Sequence, residues 1–355
     1  MRGAGPYRAV VRTIMSGAAR THGSTVASSV LVAVAAAVTC GQLFVLPLWL
    51  LPRTTAWGWL LVPFALFTTP LWSLLHEAIH GSLLRDRTWN DRYGRALAVC
   101  YGAPFPLLKA GHLLHHRFSR TPRERTEVYD PARTSWGAHA PAYYLRLVGG
   151  LYLAEAASVI LAPVPRRGWA LLARHLDGPG TVTAMLLDSV AARRLGTFRA
   201  DAALIAGLYA AALVSYGTHG WMLVAALLAR AFLVSVADNS YHYGTPLDEP
   251  LEAMNLRLPR PLETFVLAFN LHGVHHRHPG LAWPDLRRRF AAENDVFHLG
   301  WFGAVARQAR GPIPATGVAG GPPPPGPTAA SAGHRRGAAA SRGEPGARTA
   351  PAGRP

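Results

Sequence analysis

Apolar residues along this chain come in long unbroken runs, not in the short alternating or 3.6-periodic stretches of a water-soluble fold. Thr25 to Leu51 gives 27 residues without a formal charge, and Thr54 to Leu75 gives another 22. A helix needs about 20 such residues to cross a hydrocarbon core, so the two runs predict a membrane hairpin turning at Pro52-Arg53. A second pair, Ala202 to Thr218 and Gly220 to Ala237, predicts a tighter hairpin at His219-Gly220. The expected fold is all-α and integral to the membrane, with four crossings at about 25-51, 54-75, 202-218 and 220-237. The first run is much longer than the roughly 7 to 15 apolar residues of a cleavable signal peptide, so it reads as a retained helix. Tyr143 to Pro163 is also apolar, but Arg146 and Glu155 interrupt it, and it is expected to lie in the interface as an amphipathic helix.

Charge sets the orientation. Of the 36 Lys and Arg, 17 fall between His76 and Asp201 and four precede Thr25, whereas the two hairpin turns hold only Arg53. Basic residues accumulate on the cytoplasmic side, which predicts cytoplasmic termini and a cytoplasmic middle segment, in a multi-pass protein of a bacterial inner (plasma) membrane. The formal charge of +17 comes from Arg spread around apolar runs, with Lys109 the only Lys, so it does not form the basic patch of a nucleic-acid binder. Two cysteines, Cys40 and Cys100, exclude a disulfide framework or a multi-cysteine metal site. The chain thus divides into a basic N-terminus (1-24), a membrane domain (25-310) and a Pro/Gly/Ala/Arg-rich stretch (311-355) too poor in large apolar residues to fold.

Sixteen histidines are the compositional anomaly, and nine of them sit in four places. His76-Glu77-Ala78-Ile79-His80 ends the second crossing. His112-Leu113-Leu114-His115-His116 and His272-Gly273-Val274-His275-His276 lie in the polar segments. His242 follows the last crossing, four residues after Asp238. Residues three or four apart share one helix face, so each cluster is expected to aim two imidazoles at a common point. Neutral imidazole binds iron, zinc, copper or nickel. Eight or nine nitrogens exceed what one ion accepts, which points to two metals; with no cysteine ligands, and with O₂ chemistry the usual reason to pair such ions at a membrane face, iron is expected. All four clusters must then meet on one side, which four crossings allow.

Other readings explain less. His76 to His80 matches the HExxH of zinc proteases, but that leaves both HxxHH strings unused. A transporter would need ionisable residues through the bilayer midplane, and only Arg230 interrupts the runs; a haem protein would need facing histidines inside the helices. His22, His139, His175, His219, His298 and His334 read as ordinary hydrogen-bonded residues. Arg230 is costly in an apolar run and so is a functional candidate; it shares a stripe with Val234, Asp238 and His242 and is expected to hold Asp238 or a substrate head group, or else to sit at a packed helix interface. Glu124, Glu127 and Asp130 are either acceptors that orient the second histidine string or a solvated loop.

The strings His76 to Gly81, Gly111 to Arg117 and His272 to Leu286 (HGVHHRHPGLAWPDL) resemble the histidine boxes of the membrane fatty acid desaturase superfamily, which includes acyl hydroxylases and carotenoid ketolases and hydroxylases. The resemblance implies a cytosolic helical cap holding a di-iron centre on His76, His80, His112, His115, His116, His242, His272, His275 and His276. It implies O₂ as co-substrate and desaturation of a lipid acyl chain, with carotenoid oxidation or acyl hydroxylation as alternatives. No electron-transfer domain is visible, so a separate donor is expected, a ferredoxin or a cytochrome with its reductase. Asp238, followed by Asn239, stands where the family pattern suggests a water-bridging Asn, and Glu77 replaces a more frequent Asp.

Overall fold

The computed structural model describes residues 20–175, 181–315 and 318. Chain contacts separate Met1–Gly321 from Pro322–Pro355, and the second unit lies outside the described residues, as do almost all of the N-terminus and most of the expected unfolded tail. The tail's first residues are held in the fold: Ile313–Pro314 pairs in parallel with Val128–Tyr129, and Tyr243 donates to the Gly311 carbonyl.

The described chain is helical, and the long apolar runs form the helices predicted for them. Helix α1 (Thr25–Leu50) is capped by Ser24 and widens to π-type turns from Gly41, where Pro47 lacks the amide that a regular turn requires. Helix α2 (Thr55–His80) opens as a 3₁₀ turn and bends at Phe67, below Pro63. Helices α3 (Arg87–Tyr101) and α4 (Phe105–Phe118) follow, then the broken helix α5 (Trp136–Leu161), α6 (Arg166–His175) and α7 (Val182–Arg193). Helices α8 (Leu195–Tyr216) and α9 (Gly220–Ser240) form the second hairpin. Its turn depends on Gly217, whose φ of 51° and ψ of −123° suit a residue without a Cβ. The short helices α10 (Arg260–Phe265), α11 (His272–Arg277), α12 (Trp283–Ala292) and α13 (Trp301–Gln308) complete the cap.

Four stretches are long and apolar enough to cross a membrane: α1, α2, α5 and the continuous stretch Leu195–Ser240, which contains both arms of the second hairpin. Helix α5 covers the segment expected to lie in the interface. It is broken at Gly149, which has φ 142° and packs on Ala231 of α9. Its two ends meet residues on the same side of the α8–α9 hairpin. Tyr143 donates to the Gln308 carbonyl close to Tyr243, while Arg199, near the start of α8, donates to the carbonyls of Ala162 and Val164.

The largest apolar core joins α2, α3 and α4 through Leu71, Leu74, Leu75, Leu97, Tyr101 and Phe105, with Ala231 and Val234 of α9 against it. Leu204, Leu228 and Phe232 point outward and are exposed, an inverted pattern suited to lipid. Trp49, Trp59 and Trp221 are exposed near the two hairpin turns, as expected of an aromatic girdle at the membrane face opposite the histidines.

Candidate metal centre

Each histidine pair is presented by local structure that the sequence dictates. Helix α2 ends directly after His80 because Gly81 adopts φ 75°, and the amides of Gly81 and Ser82 close on the carbonyls of Ala78 and Glu77. His76 and His80 therefore ride the last turn of the helix. Helix α4 carries His112, His115 and His116 on its final turns. The short α11 carries the third set, and the Val274 amide donates to Asn255 Oδ1 at 3.0 Å. His242 follows the end of α9.

All nine histidines converge, in two groups. His76, His80, His112, His116 and His275 form one, with one nitrogen from each lying within 4.8 Å of the others; His115, His242, His272 and His276 form the second by the same measure. Two imidazoles of each multi-histidine string meet at a common point, as expected, and the third of each HxxHH string serves the other group. In α4 the i,i+4 pair His112 and His116 joins the first group and His115 the second; in α11 the i,i+4 pair His272 and His276 joins the second and His275 the first. A 3.6-residue repeat separates positions i+3 and i+4 by about 100° around the helix, so an HxxHH string naturally serves two points. The groups share a wall, where His116 stacks on His276 with ring centroids 4.3 Å apart.

The spacing of the nitrogens fits a cation better than hydrogen bonding. His112 Nε2 lies 3.0 Å from Nε2 of both His80 and His116, and His116 Nε2 is also 3.1 Å from that of His275. An imidazole nitrogen offers either one lone pair or one N–H, so a chain in which successive nitrogens each face two others cannot be satisfied internally. His76 Nε2 is buried and has no hydrogen-bond partner. In the second group the Nε2 pairs His115–His242 and His272–His276 are each 3.1 Å apart. Metal–imidazole bonds of about 2.0–2.1 Å at right angles would place neighbouring nitrogens about 3.0 Å apart. The donor set is neutral nitrogen, compatible with binding a transition metal.

Burial, followed by the neighbouring imidazoles, holds His112, His116, His242, His272 and His275 well below the usual histidine value. His276 is lowered mainly by burial, and its Nδ1 faces the Pro250 carbonyl at 3.2 Å. His115 is the exception. Burial opposes its charging, but Glu124 Oε1 lies 2.8 Å from its Nδ1 and the net effect raises it, while Glu124 is held below its usual value.

The remaining candidates are placed as follows. Asp238 and Asn239 line a cavity of about 20 Å³ with His115, His242, Glu124 and Arg146, but no carboxylate belongs to either histidine group. Asn239 donates to Gln308 Oε1 at 2.6 Å. Glu77 touches no histidine; Ser82 Oγ and the Trp283 amide donate to its Oε2, tying α2 to α12. Arg230 does not reach Asp238. It donates to the carbonyls of Cys100 and Tyr101, to Tyr152 and Tyr209, and to Gln42 Oε1, the packed-interface arrangement. Of the three acids after the second string, only Glu124 meets a histidine; Glu127 pairs with the buried Arg120, and Asp130 accepts from the Ala132 amide. His139 and His298 make ordinary hydrogen bonds to backbone groups, and His334 lies outside the described residues.

Two supports carried no signal in the sequence. Buried Asn255 joins the α11 amide at Val274 to Asp295 through Oδ1 and Nδ2. Buried Arg120 clamps the loop after α4 to the loop after His242 by donating to the Thr245 and Pro246 carbonyls. Both act over long sequence separations, and no short motif marks them.

A family model described as fatty acid desaturase matches residues 55–301. No curated protein matches the chain.

Proposed function

The chain belongs to the fatty acid desaturase family, and on that premise we propose that it is an O₂-dependent membrane oxidoreductase that holds two iron ions and removes two hydrogens from a fatty acyl chain to leave a double bond. The observation that carries this reading is the pair of adjacent nitrogen-only groups, of five and four histidines. Iron bound there would supply the redox and O₂ chemistry needed to break unactivated C–H bonds.

The nine histidines are the proposed ligands. Burial keeps most of the cap's imidazoles neutral and their lone pairs free. Glu124 orients His115 through Nδ1 and leaves Nε2 for metal. Asp238 stands four residues before His242, as His76 stands before His80, and supplies a carboxylate beside the smaller group; the cavity between them has room for about one water. Arg230 braces the bundle.

In the membrane, we take α1, α2, α8 and α9 as the crossings, with both termini and the cap in the cytoplasm. Helix α5 then enters and leaves on the cap side, a reading supported by the contacts at its two ends. Electrons come from a separate carrier protein. Expression in a host with defined lipids and a compatible ferredoxin or cytochrome donor should yield acyl chains lacking two hydrogens, detected by mass spectrometry. Unchanged fatty acids together with new keto or hydroxy carotenoids, or acyl chains that gain oxygen, would contradict desaturation.

A further inference from the structure

A series of oxidisable rings leads away from the five-histidine group. Trp72 stands four residues before His76 on α2, hence on the same helix face one turn back along it, and its ring meets that of His112 edge-on with centroids 6.3 Å apart. The Trp72 ring also lies 5.3 Å from that of Tyr101 at the end of α3, and Tyr101 lies 5.0 Å from Tyr152 of α5. Tyr101 is fully buried, yet its hydroxyl donates to Glu155 Oε2 at 2.9 Å. Placing a carboxyl group against a buried phenol costs desolvation that Phe at 101 and an aliphatic residue at 155 would avoid, so apolar packing does not account for the pair. Another tyrosine, Tyr241, stands 4.6 Å from His272, but its hydroxyl meets Trp301 Nε1 at 3.3 Å instead of a carboxylate. A phenol gives up an electron readily only when its proton can leave as well, and Glu155 lies within the hydrogen-bond reach that such a transfer needs.

We propose that Trp72 and Tyr101 form a one-electron relay that drains oxidising equivalents from the metal centre when no substrate hydrogen is within reach, a role that rests on the iron reading above. The oxidant is iron oxidised by O₂. It takes one electron from Trp72, Tyr101 refills Trp72, and as the Tyr101 O–H bond breaks its proton passes to the Glu155 carboxylate. The products are a centre reduced by one electron, a neutral tyrosyl radical and a protonated Glu155. One electron from the carrier protein and the return of that proton restore the resting state. The relay spares the nine imidazoles, the groups nearest to an oxidant with nothing else to attack. Burial raises Glu155 to about 8; the Tyr101 hydroxyl of α3 and Arg146 of α5 favour its ionised form, and Asp238 of α9 opposes it. The proton acceptor therefore becomes available as pH rises through about 8, and radical yield should rise with it.

The test is to reduce the full-length iron-loaded protein in detergent without acyl substrate, mix it with O₂, freeze it within milliseconds and record electron paramagnetic resonance spectra. The wild type should give a tyrosyl signal that narrows when the tyrosine rings are deuterated, and its yield should grow several-fold between about pH 7 and pH 9. Tyr101→Phe should abolish the signal, and Trp72→Phe should slow its appearance several-fold or more. Glu155→Gln keeps a hydrogen-bonding partner for the phenol but no base, so it should lower the yield several-fold and remove the pH dependence. After repeated turnover without substrate, peptide mass spectrometry should find more oxygen added to the ligand histidines in Tyr101→Phe than in the wild type. Iron-loaded protein that forms no tyrosyl radical, the same signal in Tyr101→Phe, or an unchanged rate in Trp72→Phe overturns the relay and leaves the desaturase reading standing. Elemental analysis of the same samples makes the other failure visible, because protein that takes up no iron overturns both.

Discussion

The two histidine groups touch, share two helices and use the same donor atom, yet their surroundings differ. The five-histidine group draws both imidazoles of α2, and in this structure its contacts are other histidines and aromatic rings such as Phe269, whose ring stands 4.9 Å from that of His76. The four-histidine group takes one residue from the turn after α9 and has two carboxylates beside it, Glu124 on His115 and Asp238 across the small cavity. Part of the difference follows from one position: α2 offers His76 and His80 four apart, whereas Asp238 at the end of α9 and His242 in the turn after it stand at the same spacing. One site is therefore built as a neutral nitrogen cage. The other is a nitrogen set with two carboxylates beside it.

The largest effect should come from histidines adjacent in sequence but divided between the groups. His115→Ala and His116→Ala should each abolish product formation, a loss beyond the roughly 10- to 100-fold typical of changes to a ligand's outer partners. Substantial activity in either, measured by product mass spectrometry on protein inserted normally in the membrane, would break the division. Glu124→Gln should fall within that range of about 10- to 100-fold in activity or metal affinity, because it removes the charge holding the His115 tautomer without removing the ligand. A loss equal to that of His115→Ala would instead make Glu124 a ligand.

Acidity should separate the groups further. His112, His116 and His275 are held below their usual value, about 6.5, so the first group resists protons as pH falls; His115 is held above it by Glu124. Protons compete with metal for imidazole nitrogen, so on acidification metal should leave the four-histidine group first. The metal-free fold follows the same sign. Below about pH 6.5 the unfolded chain binds protons that these buried imidazoles refuse, so its thermal stability should decline as pH falls through that window. Simultaneous release of both metals would argue against the electrostatic difference. The smallest effect is expected from Glu77→Gln, a few-fold at most. An amide oxygen can still accept from Ser82 and the Trp283 amide, and no histidine depends on it.

The legible part of the molecule is the part written in local repeats. Uncharged runs announced the long helices, and histidine spacing announced the nine converging residues, because both depend on helix geometry over a few positions. The division of His115 from His116 was legible in principle, since i+3 and i+4 diverge around a helix, but the string alone does not show a second centre waiting for the odd residue. Arg230 and Asp238 share a stripe in sequence, yet their side chains turn to different neighbours; Tyr152, Tyr209 and Gln42 outcompete the acid. The break in α5 rests on Gly149 meeting Ala231, some eighty residues later, a contact that no motif announces.

The central claim is that two neighbouring centres divide the histidines five and four, and it is tested most directly by Mössbauer spectroscopy with elemental analysis on ⁵⁷Fe-loaded wild type, His275→Ala and His276→Ala. The wild type should hold about two irons per chain in two distinguishable environments, with His275→Ala losing the five-histidine signal and His276→Ala the other. A single metal per chain, stoichiometric zinc without iron, or the same signal lost from both variants would contradict it.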